Sequence, residues 1–238
     1  MVYWLEFVYS PPGFYGKDIA IDIVSAIVVL LIGIFSFRNF FLNKKNKKHL
    51  FLGAAFVLLG LSFVVKILTN VLSRAEEWSS KQLLISMFGR DILTSYTMIP
   101  AAGFLVYALL TLFGFYIIYA LSSKDELSMN YLIIAYFILI STYFTRFTYF
   151  ILYLTAFIFL LALSRRYFLE YKKNSYKNTF FLCMSFSIIT LSQFAFIFTS
   201  TNHMLYVLAE FIQLIGYLFL LYTFVMVLRN ATNATKTK

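Results

Sequence analysis

The chain has few of the residues that metal centres and cofactor sites need. Cys183 is its one cysteine, so it can form neither an intramolecular disulfide nor a thiolate cluster. Its two histidines, His49 and His203, fall on opposite membrane sides once the spans are placed, which excludes a bis-histidine haem site within the chain. The sequence also has no P-loop, no HExxH zinc motif and no glycine-rich turn after a strand. We therefore predict a non-enzymatic protein that holds no cofactor and no metal.

Charged residues are scarce as well. They make up 13% of the 238 residues, against about 25% in a typical soluble domain. Hydrophobic residues make up 61%, and the mean hydropathy is +0.82. Such a chain does not have enough polar groups to cover a soluble surface. The composition predicts an all-α integral membrane protein that crosses the cell membrane several times.

Seven apolar stretches are long enough, or nearly long enough, to cross a bilayer as helices. They are residues 19–37, 50–72, 95–120, 129–144, 147–163, 178–199 and 204–228. The fourth and fifth are short and are separated by a tight turn, so they are predicted to form a helical hairpin. If that hairpin only re-enters the membrane, the other spans keep their orientation, because both crossings are lost together. Apolar residues at helical spacing in 79–93 predict a short helix on the outer membrane surface.

The basic residues predict the orientation, because cytoplasmic loops carry an excess of Lys and Arg. Fourteen of them fall on one side: Arg38, Lys44, Lys45, Lys47, Lys48, Lys124, Arg165, Arg166, Lys172, Lys173, Lys177, Arg229, Lys236 and Lys238. Five fall on the other: Lys17, Arg74, Lys81, Arg90 and Arg146. This asymmetry predicts that residues 1–18 lie outside and that the tail, residues 229–238, lies in the cytoplasm. It also accounts for the net charge of +10 without nucleic acid, which we do not expect as a partner.

The densest basic run joins spans one and two on the predicted cytoplasmic side. It contains Lys44, Lys45, Lys47 and Lys48. A cluster of this density favours binding to the anionic headgroups of membrane lipids or to an acidic partner. We therefore predict anionic headgroups and another membrane protein as partners. The alternative is that these charges serve the orientation of the chain alone.

Three ionisable side chains lie inside the apolar spans: Asp22 in span one, Lys66 in span two and Glu210 in span seven. A charge at the centre of a span costs about 2.5–3.5 kcal/mol on insertion scales. At about 1.5 Å per residue, Lys66 and Glu210 lie on the order of 9 Å below the outer ends of their spans, and Asp22 lies roughly one turn below. In a closed ring of seven helices, span one contacts spans two and seven. Lys66 is therefore predicted to pair with Asp22, with Glu210 or with both, whereas Asp18 is expected at the water boundary.

Further polar residues share faces with these charges. Tyr206, Glu210, Gln213 and Tyr217 are spaced by four, three and four residues, which puts them on one face of span seven. Asn70 lies one turn beyond Lys66 on span two. The combined set predicts a helix-pairing cluster or a ligand or proton site, and both interpretations stay open. Span three carries a seam of small and polar residues at which a neighbouring helix is expected to pack closely: Gly103, Tyr107, Thr111 and Gly114.

The last span, from Leu208 to Tyr222, resembles the final helix of the seven-helix membrane sensor regions that precede histidine kinases in archaea and bacteria. The resemblance implies a sensor or receptor-like role and assigns no individual residues. Seven spans with an outside N-terminus also resemble microbial rhodopsins, but span seven has no lysine for a retinal Schiff base. We therefore expect a sensor or accessory module with an outward-facing polar cluster.

Two other roles stay open. One is a small proton-coupled transporter. Transporters often consist of two related halves with Gly- or Pro-broken helices at matching positions, and Pro100 has no such counterpart here, which disfavours this role. The other is a structural subunit of a larger membrane complex, in which the charges contact neighbouring subunits.

Overall fold

The structure, a computed structural model, describes residues 11–14, 16–42, 47–75, 98–122, 128–145, 149–199 and 201–236. Within these ranges it has a 3-10 turn at Pro12–Phe14, seven α-helices and no strand. The helices are α1 (Lys17–Leu42), α2 (Lys47–Ala75), α3 (Met98–Ser122), α4 (Ser128–Thr145), α5 (Phe150–Asn174), α6 (Lys177–Ile197) and α7 (His203–Lys236). The all-α prediction is confirmed for the described part of the chain.

Six of these helices are long and apolar enough to cross a membrane, which supports a multi-pass membrane protein. The exception among the described helices is α4. It has 18 residues, and its apolar segment, Ile134–Thr145, is shorter than those of the other six helices. Each predicted span overlaps one helix. The predicted surface helix at 79–93 lies outside the described residues, as do Lys44, Lys45 and residues 1–10.

Several helices continue past the predicted spans at their polar ends. α5 runs to Asn174, although its span is predicted to end at residue 163, and α7 runs to Lys236, into the predicted tail 229–238. Hydropathy reports the part of a helix that lies in hydrocarbon, whereas backbone hydrogen bonding continues into water. α5 ends where Ser175 adopts a left-handed φ of 53° and donates its N–H to the Tyr171 carbonyl at 2.7 Å.

Six helices form a closed ring. α1 packs on α2, α2 on α3, α3 on α5, α5 on α6, α6 on α7, and α7 on α1. α4 contacts both α3 and α5, but these two also contact each other, so the ring closes without α4. The expectation of a ring of seven helices is therefore wrong. Its consequence for span one still applies, because α1 lies between α2 and α7.

The ring interior has two halves. The upper half lies near the starts of α1 and α7, and the lower half lies toward the ends of these helices. The lower half is filled by fully buried apolar side chains, among them Ile32, Phe56, Leu112, Phe115, Leu160 and Leu220. Apolar side chains on the outer faces of the helices, such as Ile34 and Leu68, are exposed, as lipid contact requires.

Glycines allow close helix contacts around the ring. A Cβ atom at Gly33 of α1 would lie 3.3 Å from the Gly53 carbonyl oxygen of α2. One at Gly114 of α3 would lie 2.6 Å from Cγ of Leu59, and one at Gly103 would collide with Thr69. The close packing predicted for the seam on span three is confirmed at these two glycines.

Candidate functional site

Lys66 joins three helices in the upper half of the ring. Its Nζ donates hydrogen bonds to Asp22 Oδ1 at 2.8 Å and to Glu210 Oε1 at 2.7 Å. These lengths are typical of charge-assisted hydrogen bonds. The side chains of Asp22 and Glu210 are 0% and 1% exposed, and that of Lys66 is 10% exposed. Asp22, Lys66 and Glu210, called the ionic triad below, link α1, α2 and α7.

Helix direction explains why residues so far apart in sequence meet. Asp22 is the sixth residue of α1 and Glu210 the eighth of α7, whereas Lys66 is the tenth residue from the end of α2. α1 and α2 run antiparallel, so the start of one lies beside the end of the other. Glu210 reaches the same layer because α7 packs on α1. The sequence leaves open whether Lys66 pairs with Asp22, with Glu210 or with both, and in the structure it contacts both carboxylates.

Tyrosine side chains surround the ionic triad. Four buried tyrosines lie within electrostatic range of Lys66: Tyr107 of α3, Tyr153 of α5, and Tyr206 and Tyr217 of α7. Spacing along α7 predicts the positions of Tyr206 and Tyr217 on the Glu210 face. Tyr107 belongs to the seam on α3, whose pattern indicates helix packing and not proximity to Lys66. No pattern in the sequence marks Tyr153.

Phenylalanine rings enclose the ammonium group. The ring centroids of Phe63 and Phe196 each lie 6.0 Å from Lys66 Nζ, within the range of a cation–π interaction. Phe196 of α6 stacks on Tyr153, with centroids 4.7 Å apart. Phe63 of α2 meets Tyr217 edge to face at 5.5 Å. Every helix of the ring therefore contributes a side chain to the surroundings of Lys66.

Asp18 does not lie at the water boundary, so that expectation is wrong. Its side chain is 0% exposed, and it interacts electrostatically with Asp22, one turn further along α1. The chain before α1 packs at the same end of the ring, because Phe14, in the 3-10 turn, belongs to one buried apolar cluster with Tyr153 and Phe196.

One oxygen of the ionic triad receives no hydrogen bond from the part of the chain that the structure describes. Asp22 Oδ2 is buried and accepts no hydrogen bond from the described residues. A buried carboxylate oxygen without a donor is unfavourable, because it has lost its hydration without replacement. Asp22 therefore has an acceptor position that contacts with the described residues leave unfilled.

The remaining predicted site residues differ in their relation to the ionic triad. Gln213 is buried one turn beyond Glu210 and interacts with Tyr217. Asn70 is half-buried on α2 and forms no hydrogen bond with the ionic triad. Lys47 and Lys48 are exposed at the start of α2, at the other end of the helix from Lys66. They therefore belong to a separate surface.

The structure also contains a cavity of about 320 Å³ at the ends of α3 and α5, far from the ionic triad. It is lined by Ser122, Arg166, Tyr167, Leu169, Glu170, Lys173 and Asn174. Arg166 lies over the Tyr119 ring, 4.8 Å from its centroid. In the part of the chain that the structure describes, no three His, Cys, Asp or Glu side chains are placed to hold a metal ion.

No family model, no curated protein and no solved structure matches the chain. Its function is therefore inferred from its own residues and their geometry.

Proposed function

We propose that the protein is a seven-span, sensor or receptor-like membrane module in which the ionic triad controls how α7 packs against α1. The observation that carries this proposal is that Lys66 bonds one carboxylate from each of these two helices. Lys66 keeps one carboxylate contact when the other is lost, so in our proposal α1 and α7 have two arrangements, one with both contacts and one with a single contact.

Helix directions support seven crossings. Tyr107 lies in the first half of α3 and Tyr153 near the start of α5, and both are within electrostatic range of Lys66. Arg166 and Tyr119 bring the later parts of the same two helices together. α3 and α5 therefore run in the same direction, so the chain between them returns across the bilayer. The 18 residues of α4 extend about 27 Å as a helix, close to the hydrocarbon thickness of about 30 Å.

The loop charges then assign the sides. With seven crossings, the basic residues place the upper half of the ring outside and the lower half toward the cytoplasm. The ionic triad accordingly lies in the outer leaflet. Lys47 and Lys48 are exposed on the cytoplasmic side, where they are positioned to contact anionic lipid headgroups.

α7 provides a route from the ionic triad to a partner. It is one continuous helix from His203 to Lys236. The part beyond Glu210 is about 39 Å long at the rise of an α-helix, more than the hydrocarbon thickness. A shift of α7 against α1 is therefore carried to the cytoplasmic end of α7. We propose that another membrane protein reads this shift.

Distances between the lower ends of α1 and α7 test the proposal. Spin labels at Leu42 and Val227, which are 77% and 38% exposed, report these ends after Cys183→Ser removes the native cysteine. Double electron–electron resonance in lipid nanodiscs gives the distance distribution. Glu210→Gln leaves Lys66 charge-paired with Asp22 alone, so we expect a second distance population.

Glu170→Gln is the matched control, because it makes the same chemical change at an exposed position of α5. We expect it to leave the distance distribution as in the unsubstituted chain. A lower melting temperature for Glu210→Gln with an unchanged distribution contradicts the proposal. That result assigns the ionic triad to helix pairing alone.

A small proton-coupled carrier is the second candidate. The observation that favours it is the buried Asp22 Oδ2, a carboxylate oxygen open to a proton. A carrier needs water to reach Glu210 from both sides in turn. Proton flux into proteoliposomes tests this role. Flux that Glu210→Gln abolishes assigns the protein to the carrier class, and flux equal to that of empty liposomes removes this candidate.

A further inference from the structure

The ionic triad holds more carboxyl groups than cations. Asp22 Oδ1 and Glu210 Oε1 both lie within 2.8 Å of the same nitrogen. If all three side chains are ionised, the ionic triad carries a net charge of −1 in a buried position. A buried charge without a compensating partner is strongly destabilising, because it has lost its hydration.

The described neighbours of Asp22 do not supply the missing positive charge. The titratable and charged groups that face it are Asp18 of α1, Lys66 of α2, Tyr107 of α3, Tyr153 of α5, and Glu210, Tyr206 and Tyr217 of α7. α6 contributes the uncharged Phe196. Lys66 is the one cation in this set, and Asp18 adds another carboxyl group.

Two carboxyl groups that share one site do not both ionise readily, because like charges at short distance repel in a medium of low polarity. A proton on one of them makes the ionic triad neutral. Asp22 is the better position for this proton. Its Oδ2 is buried without a hydrogen-bond partner among the described residues, and Asp18 lies one turn away on the same face.

We propose that the ionic triad is a proton-binding site, with the proton on Asp22 Oδ2 in exchange with water at the upper end of the ring. Gly16 and Lys17, about one and a half helical turns before Asp22, are exposed on this side, and Asp18 lies between them and Asp22. The proton comes from a hydronium ion in that water, and the Lys66 ammonium keeps its own protons. With Asp22 neutral, Lys66 is charge-paired with Glu210 alone, and the hold of α2 on α1 weakens.

The proton is then the stimulus that the module detects, an assignment that rests on the sensor function proposed above. The binding site itself rests on the geometry of the ionic triad alone.

Infrared spectroscopy across a pH series tests the site directly, because a protonated carboxyl group has a C=O stretch that a carboxylate lacks. The full chain is measured in lipid nanodiscs. Exposed Asp and Glu side chains are ionised at neutral pH. We therefore expect a protonated-carboxyl band that persists at neutral pH and disappears as the pH is raised. A spectrum without such a band overturns the proposal.

Substitutions assign the band to its residue. Asp22→Asn is expected to remove it. Glu210→Gln is expected to remove it as well, because Asp22 then forms a neutral one-to-one pair with Lys66. Lys66→Met roughly doubles the band, because two carboxyl groups are left without a cation. Glu170→Gln is the control and keeps the band. A band that survives both Asp22→Asn and Glu210→Gln overturns the proposal. A band that survives Asp22→Asn but is lost in Glu210→Gln shows that the proton is on Glu210, and it overturns the assignment to Asp22.

Misfolding cannot explain loss of the band in Glu210→Gln together with a stronger band in Lys66→Met. The test therefore does not depend on any single variant. The spin-label distances separate the two proposals. A band with the expected pattern and unmoved helix ends supports the proton site and contradicts the sensor function. Helix ends that move in Glu210→Gln without any protonated-carboxyl band support the sensor function and overturn the proton site.

Discussion

The upper half of the ring interior contains the ionic triad, from three helices, and the buried Asp18, whereas the lower half is filled with apolar side chains. Buried hydroxyl groups in the lower half include some that bond within their own helix, as Ser36 Oγ does with the Ile32 carbonyl at 3.0 Å. Lipid tails are as apolar as leucine, so the lower half is held by close packing and not by transfer from water.

The difference indicates separate roles for the two halves. Packing contacts are numerous and individually weak, so the lower half resists rearrangement as a unit. The ionic triad depends on two contacts of one ammonium group, and its energy changes when a single proton is gained. We therefore expect substitutions in the upper half to alter conformation and pH response, and substitutions in the lower half to alter stability alone.

The largest expected effect is that of Lys66→Met. It leaves Asp22 and Glu210 buried without a cation, and we expect a loss of about 3 kcal/mol in the free energy of unfolding, because breaking a buried pair is strongly destabilising. Uptake of protons by both carboxyl groups holds the loss near this lower limit. Reversible unfolding in bicelles measures it. Lys47→Met, at an exposed lysine of the same helix, is the control, and an equal loss in both variants contradicts the account.

In the lower half, Leu112→Ala tests packing. Leu112 is 0% exposed, and its truncation leaves a cavity, for which we expect a loss of about 2 kcal/mol. The loss is expected to stay constant with pH. Leu61→Ala, at a position 45% exposed to lipid, is expected to lose about 0.5 kcal/mol or less. If the loss of unfolding free energy for Leu112→Ala varies with pH, the two halves of the ring do not differ in the way proposed.

Gly114→Ala tests the close contact of α3 with α2. The new Cβ atom would meet Leu59 Cγ at 2.6 Å and the Ala55 carbonyl oxygen at 3.2 Å, so one helix has to move. We expect a loss of about 1 kcal/mol from overpacking. Gly13→Ala is the control, since nothing lies within 4 Å of its Cβ position. Equal melting temperatures for the two variants would show that α2 and α3 pack less closely than described.

The smallest expected effect is at the contact between α4 and α5. The hydroxyl oxygens of Thr155 and Ser141 lie 3.2 Å apart, and Thr155 also bonds to the Ile151 carbonyl of its own helix. Thr155→Val is expected to lose about 0.6 kcal/mol. Thr190→Val removes the same kind of intrahelical bond at Phe186 on α6 and provides the control. A greater loss in the control argues against a hydrogen bond between α4 and α5.

Much of the fold can be predicted from the sequence because the bilayer restricts the choice. A run of about 20 apolar residues has to form a helix, so a helix is found at each of the seven predicted spans. The polar ends of α5 and α7 are not predictable in this way, because their helices continue where hydropathy gives no signal.

The candidate site is predictable only in part. Depth places Asp22, Lys66 and Glu210 in one layer, and spacing brings Gln213, Tyr206 and Tyr217 to the Glu210 face. Which helices adjoin in the ring is a tertiary property that no single span encodes, so the position of α4 outside the ring is missed. The burial of Asp18 is likewise a tertiary property, and the sequence gives no pattern for it.

The central claim is that Lys66 binds Asp22 and Glu210 at the same time. Double-mutant cycles of unfolding free energies for Lys66→Met with Asp22→Asn, and for Lys66→Met with Glu210→Gln, test it most directly. We expect a coupling of about 1–3 kcal/mol in each cycle, because each pair shares a buried charge-assisted hydrogen bond. If, in even one of the two cycles, the losses of unfolding free energy of the single variants add up to that of the double variant, the pair tested is not coupled and the claim is contradicted.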